Sequence, residues 1–350
     1  MSIPFFDGHN DLLLRLSRRP EARHDLWLGD TGAGHLDLAR MRRAGFAGGF
    51  FAIFVPSPSS GPPQPFTMPD PPYQKPLPPL MDHVAAQPPA LAMAGILHWM
   101  DRSSPDDFRL CRSAPDLRAA IAAGRIAALM HLEGAEAIGA DLDALRLWHA
   151  MGLRSLGPVW SRPTIFGHGV PMAYPGHPDT GPGLTQTGKD LVRLCDEMGI
   201  LIDLSHLNEK GFDDVARHSR APLIATHSNA HAICPSTRNL TDRQLHMIRE
   251  RGGMVGLNFA TFFLNPDGRA DPGTGFEPML RHLDHLITHL GEDHVGLGSD
   301  FDGCTLPDVI GDVTGVPRLF NAMAAHGYDD ALIAKLAREN WLALLDRALP

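Results

Sequence analysis

The chain has 350 residues and a formal net charge of −9, with 43% hydrophobic and 20% charged residues, enough apolar material for a sizeable core. No long basic stripe accompanies that charge, which argues against binding along a nucleic-acid backbone. Four scattered cysteines with no CxxC pair (Cys111, Cys195, Cys234, Cys304), no leader pattern in MSIPFFDGHND, no apolar run of about 18 residues and an amphipathic ENWLALLDRALP end together predict a cytoplasmic protein without a membrane span or lipid anchor.

Apolar segments rich in β-branched or aromatic residues fall at 3–6, 49–55, 126–131, 153–159, 200–204, 222–225, 254–259 and 295–298 and predict eight strands. Between most of them, 3.6-residue periodicity predicts helices over 36–43, 142–151, 190–198, 212–218, 242–251 and 279–290. Thr187 with Asp190, and Thr241 leading TDRQL, read as helix starts, while Gly199, Gly252 and Gly291 read as stops. Continuously apolar strands alternating with helices imply a parallel sheet covered by helices, and eight such units predict closure into a (β/α)8 TIM-like barrel, with an open doubly wound sheet as the rival. One barrel domain is expected to occupy 1–350. Residues 56–90 contain 13 prolines, which neither a helix nor a central strand should accommodate, so this stretch reads as an insertion after the second strand. It would then lie on the C-terminal rim, where it could cover the mouth.

The chain carries 19 histidines, several at the ends of those apolar runs. In DGHND, His9 and Asp11 are two apart at the end of the first strand, so a period of two turns both side chains to one face as a chelating pair, with Asp7 or Asn10 as supporting partners. Glu133 follows the third strand in ALMHLEG, His206 ends the fifth in LIDLSH, His227 ends the sixth in LIATHS, and Asp300 follows the eighth in GLGSD. In a barrel these positions converge on one mouth, where nitrogen and carboxylate donors from separate strands gather around cations. Five candidate ligands imply two ions, with Glu133 as a bidentate bridge and Asp300 left for proton transfer, Asp302 being the reserve. Only four lysines occur and none ends a strand, which disfavours a carbamylated-lysine bridge. No nucleotide-binding glycine loop follows a strand, and no GxSxG elbow is present. His131 reads as packing beside the ions, and His282, His285 and His289, at mixed helical spacing, read as surface or packing residues.

The motifs DGHNDL, LARMRRAGFAGGFF, HLEGAEAI, GLRSLGPVWSRP, IDLSH, ATHSNAHAI, STRNLTD, GLGSDFDG and RENWLALL make nearly the whole chain similar to the membrane (renal) dipeptidase family of zinc peptidases and its soluble bacterial members. The resemblance implies two Zn²⁺ ions, one on His9 and Asp11, the other on His206 and His227, with Glu133 between them. It also implies that Arg238, in STRNLTD, pairs with the carboxylate of a dipeptide substrate, a task suited to a planar bidentate fork. Tolerance of a D-configured second residue is implied as well. Family members of the renal type have a substrate-contacting histidine after the fourth strand, whereas this chain has Trp160 there; His168 in IFGHGVP is the nearby candidate for that role. Another binuclear barrel hydrolase, acting on a cyclic amide, lactone or deaminable base, and a non-catalytic metal-binding homologue are the competing readings. A homodimer is one option for its assembly.

Overall fold

The computed structural model describes residues 3–58 and 67–350. Eight strands build the barrel: β1 (Phe5–Asn10), β2 (Phe46–Phe54), β3 (Ile126–Glu133), β4 (Leu153–Gly157), β5 (Leu201–Ile202), β6 (Ile224–Ala225), β7 (Met254–Leu257) and β8 (Val295–Leu297). Parallel pairing runs β5–β4–β3–β2–β1–β8–β7–β6. The circuit is completed by the parallel bridge of Asp203 with Ile224 and by the Leu204 amide, which donates to the Ile224 carbonyl at 2.8 Å. A further short strand, Phe108–Leu110, pairs with β3 outside this path. The strands are buried on both faces, the condition that makes them read as unbroken apolar runs. One end of the interior is filled by Phe6, Phe50, Leu129, Leu201, Ile224 and Met254, against which the C-terminal helix Asn340–Ala348 lays Trp341. Polar side chains are thereby confined to the opposite, C-terminal end of the strands.

Glycines allow several strands to approach the end of β6 closely. A Cβ on Gly8, Gly256 or Gly298 would lie 2.3, 2.1 or 1.9 Å from the Thr226 carbonyl oxygen, so β1, β7 and β8 can crowd the end of β6 only without side chains there.

The helix-start reading at Thr241 is met by a full capping box with Gln244, and Gly199 ends its helix at φ 67°. The other start differs: Thr185, not Thr187, caps the helix Gln186–Met198 by accepting the Gly188 amide. The proline-rich stretch also differs from expectation. A 21-residue helix, His83–Ser103, begins inside it and contains Pro88 and Pro89. Both prolines sit in the second turn after a start capped by Asp82, past the four amides that lack intrahelical partners, so the helix tolerates two missing bonds, to the carbonyls of Val84 and Ala85. Upstream, Tyr73–Gln74 pairs antiparallel with Ala173–Tyr174, tying the segment after β2 to the one after β4. All four cysteines are free, and among the described residues no helix is long and apolar enough to cross a membrane.

Candidate active site

The strand ends bring His9, Asp11, Glu133, His206, His227 and Asp300 into one cluster. Glu133, the last residue of β3, stands at its centre: Oε2 is 3.7 Å from His9 Nε2, and Oε1 is 3.1 Å from His206 Nε2 and 3.6 Å from His227 Nε2. His9 Nε2 is 3.5 Å from Asp11 Oδ2, and its ring stacks on that of His227 with centroids 3.8 Å apart. Donor atoms of His9, Glu133 and His227, and of His9, Asp11 and Asp300, fall within 4.8 Å of one another, the spacing of ligands around a shared ion.

Local backbone conformation sets these directions. His206, Asp300 and Asp302 adopt positive φ of 69°, 62° and 65°, a sparsely populated region for residues with a side chain, and they do so where the chain leaves β5 and β8. Hydrogen bonds hold the turns: Ser205 N donates to Asp203 Oδ1, and Asp300 N donates to the His9 carbonyl.

The donor set fits a cation. Thr226 Oγ1 spends its proton on Asp203 Oδ2 at 2.5 Å, so it must accept from His227 Nδ1–H at 2.8 Å, and His227 Nε2 is left with a lone pair. Burial holds both His206 and His227 well below the ordinary imidazole range, hence neutral, yet their Nε2 atoms are only 3.1 Å apart. His9, pushed down to about 4 by burial, has no hydrogen-bond partner for either ring nitrogen. The carboxylates show the complementary strain. Burial and then the Asp11 and Asp300 charges push Glu133 well up, burial and Asp302 push Asp11 up to about 7, and burial raises Asp300. Neutral nitrogens and reluctant anions facing a common point are what one or more divalent ions would relieve.

A cavity of about 510 Å³ opens over this cluster, lined by Asp11, Glu133, His206 and Asp300 at its floor and by Phe54, Trp160, Met172, Phe262 and Phe263 on its walls. Thr67 and Lys75, from the proline-rich segment, line it too. Trp160 packs with its ring 5.7 Å from that of His206. His168 does not line this cavity; it borders a neighbouring one of about 300 Å³, with Lys75 common to both. Asp302 is committed elsewhere: Oδ2 accepts from Arg15 Nε at 2.9 Å and Oδ1 from the His35 amide at 2.7 Å, which leaves it poorly placed as a reserve base. Arg238 is buried beside the cluster. Its Nη1 and Nη2 donate to Ser228 Oγ and the His227 carbonyl, its Nε is unpartnered, and burial lowers it to about 10, still cationic at neutral pH.

Several supporting residues escaped the sequence reading. Asp203 organises His227 through Thr226 and approaches His131 Nε2 at 3.5 Å; Ser161 Oγ meets His206 Nδ1 at 3.1 Å; Asn258 Nδ2 donates to Asp300 Oδ2 at 3.0 Å. Asp203 lies within the same LIDLSH segment as His206, the one signal available. Asp7 accepts the His9 amide at 3.4 Å as well as Ser299 N and Oγ, while Asn10 donates to the Phe50 carbonyl. His131 packs beside the cluster as expected, its Nδ1 on Ser155 Oγ at 3.1 Å.

The family model of membrane dipeptidase, peptidase family M19, matches residues 1–348. The chain belongs to this family. Among solved structures, the dipeptidase AC, an M19 metallopeptidase, is 62% identical with a TM-score of 0.94, covering 100% of this chain and 99% of that one. A metallopeptidase from Rhodobacter sphaeroides, liganded with a phosphinate mimic of the dipeptide L-Ala-D-Ala, is 61% identical with a TM-score of 0.95, covering 99% and 100%. A Klebsiella pneumoniae protein from the pqqA 5′ region is 49% identical over 250 residues, 71% of this chain and 92% of that protein. This membrane dipeptidase family member is thus a metal-dependent dipeptidase, a hydrolase of peptide bonds, which sets aside the non-catalytic reading.

Proposed function

We propose that the enzyme is a two-zinc dipeptidase in which Glu133 bridges the ions, His9 and Asp11 holding one and His206 and His227 the other. The observation that carries this reading is the centring of three imidazoles on the two oxygens of Glu133, with lone-pair nitrogens facing a common point. A pure nitrogen and carboxylate donor set with no thiolate suits Zn²⁺ in a hydrolytic site. When bound, such ions supply a water of lowered pKa and polarise the scissile carbonyl.

The chain's own residues do the rest. Asn258 holds Asp300 through Oδ2, leaving Oδ1 on the side of Asp11 to take the proton of the attacking water and pass it to the departing amine. Arg238 keeps an unpartnered Nε and unused Nη hydrogens in a buried position, so a carboxylate from the substrate would complete its pairing. That requirement for a free C-terminus close to the scissile bond restricts substrates to dipeptides. Trp160 and Phe54, 5.1 Å apart, wall the cavity where the renal-type histidine would stand. The dipeptide mimic in the Rhodobacter neighbour supports an L-Xaa-D-Xaa substrate. Four unpaired cysteines support a reducing, cytoplasmic setting.

A dipeptide panel with D-residues at the second position, run alongside metal analysis, tests the proposal. Free amino acids should be released, activity should vanish on chelation, and it should return with Zn²⁺. Asp300→Asn should retain the metal content and lose about 10²- to 10⁴-fold in kcat. Turnover of a cyclic amide or lactone with none on any dipeptide, or full activity of Asp300→Asn, would overturn it.

A further inference from the structure

Among the described residues, one group of potential ligands stands apart from the cavity: Asp242, His285 and His289. They lie on two outer helices, Asp242–Glu250 after β6 and Phe276–Leu290 after β7. His285 Nε2 is 2.7 Å from Asp242 Oδ1, His289 Nε2 is 3.8 Å from Asp242 Oδ2, and the two imidazole rings lie 4.3 Å apart. Spacing four residues apart on a helix is what places the two rings on one face, in reach of the same carboxylate. A fourth residue backs this arrangement. His246, one turn after Asp242, puts Nε2 3.2 Å from His289 Nδ1, so the ring nitrogen of His289 that faces away from the carboxylate is also engaged.

A plain Asp–His hydrogen bond accounts for His285 alone. It does not account for a second imidazole turned toward the other oxygen of the same carboxylate, nor for the partner fixing that imidazole from behind. Two imidazoles and one carboxylate with donor atoms within 4.8 Å match the three-ligand sets that bind Zn²⁺ and related ions with open positions for water. A ligating imidazole whose remaining N–H is held by an acceptor is the usual companion of such a site. Side-chain exposures of 19%, 22% and 44% for His285, His289 and Asp242 leave the group reachable from solvent.

We propose that Asp242, His285 and His289 form an accessory site for one divalent transition ion such as Zn²⁺, with His246 positioning the His289 ring. The ion would clamp together the two helices that flank the segment carrying Arg238, since Arg238 lies four residues before Asp242. On the second of these helices, His282 accepts the Ala230 amide of that same segment at 3.1 Å. The site is independent of how the cavity is metallated.

Equilibrium dialysis of the metal-loaded enzyme against graded Zn²⁺ alone, with metal content and thermal melting measured at each step, tests this. The enzyme should take up about one ion beyond its loaded content, with Tm rising as that ion binds. The double variant His285→Gln/His289→Gln should keep its loaded ions and its dipeptide turnover, while losing the additional ion and the Zn²⁺-dependent rise in Tm. Asp242→Asn, which preserves shape and the helix start, should weaken the additional binding at least tenfold, and His246→Gln by about 10- to 100-fold. No additional ion in the parent enzyme, or equal uptake by the double variant, would overturn the site; unchanged affinity in His246→Gln would overturn the role of that residue.

Discussion

Among the described residues, the histidine clusters at the strand ends and on the outer helices are built by different means. The inner one comes from strand ends far apart in sequence, and its ring directions are imposed by positive φ at His206 and by hydroxyls such as Thr226 Oγ1 and Ser161 Oγ. The outer one comes from two neighbouring helices, and helical spacing aligns it, with His246 behind the His289 ring. The inner cluster is buried and its carboxylates are pushed toward neutrality, whereas the outer one is half-exposed and its Asp242 carboxylate bonds directly to His285. Burial is therefore what separates them: the same residue types become a strained, cation-demanding set inside and an optional one outside.

Three substitutions sharpen this contrast, in descending order of their effect on turnover. Glu133→Gln removes the charge on which three imidazoles converge; dipeptide turnover should vanish and the metal content per chain should fall, as read by elemental analysis beside an activity assay. An enzyme still fully loaded and active would break the comparison at its centre. Thr226→Val removes the acceptor that fixes the His227 tautomer and should lower metal affinity or activity by about 10- to 100-fold; competition with a chelator checks it, and wild-type affinity would mean that the hydroxyl does not direct the ring. His282→Gln probes the boundary between the clusters, because His282 shares its helix with His285 and His289 but points inward, bonding the Ala230 amide and the Leu264 carbonyl.

For His282, burial lowers the folded-state value to about 3, against 6.5 when exposed. Between those two values the unfolded chain binds a proton that the folded chain refuses, so stability is lost as pH falls from about 6.5 toward 3. Denaturant melts of metal-free protein across that window should show a shallower pH slope for His282→Gln than for the parent, with turnover at neutral pH unchanged. Parallel slopes would show that His282 does not carry this penalty.

Much of the barrel was legible because its strands are buried on both faces, so that apolar runs survive even where pairing is only two residues long, as in β5 and β6. The strand-terminal donors were legible for the same reason, since the runs end where the polar mouth begins. What the sequence concealed depended on convergence or on competing local signals. Pro88 and Pro89 mask a 21-residue helix, because they fall inside it and each removes a helical hydrogen bond that the remaining turns outweigh. Asp203, Thr226 and Asn258 look like ordinary polar residues until the strands meet, and nothing in their spacing announces a hydrogen bond to a site residue. His168 borders the adjacent cavity and not the one over the cluster, and its proximity in sequence to Trp160 carries no information about which of the two it lines.

The three glycines pressed against the Thr226 carbonyl have a practical corollary for anyone seeking to redirect this catalyst. Even a methyl group at Gly298 would have to displace the main chain that presents His227, so libraries should leave Gly8, Gly256 and Gly298 untouched. Diversity is better invested in Thr67, Lys75 and Met172, which face incoming molecules without bearing on that crowded junction.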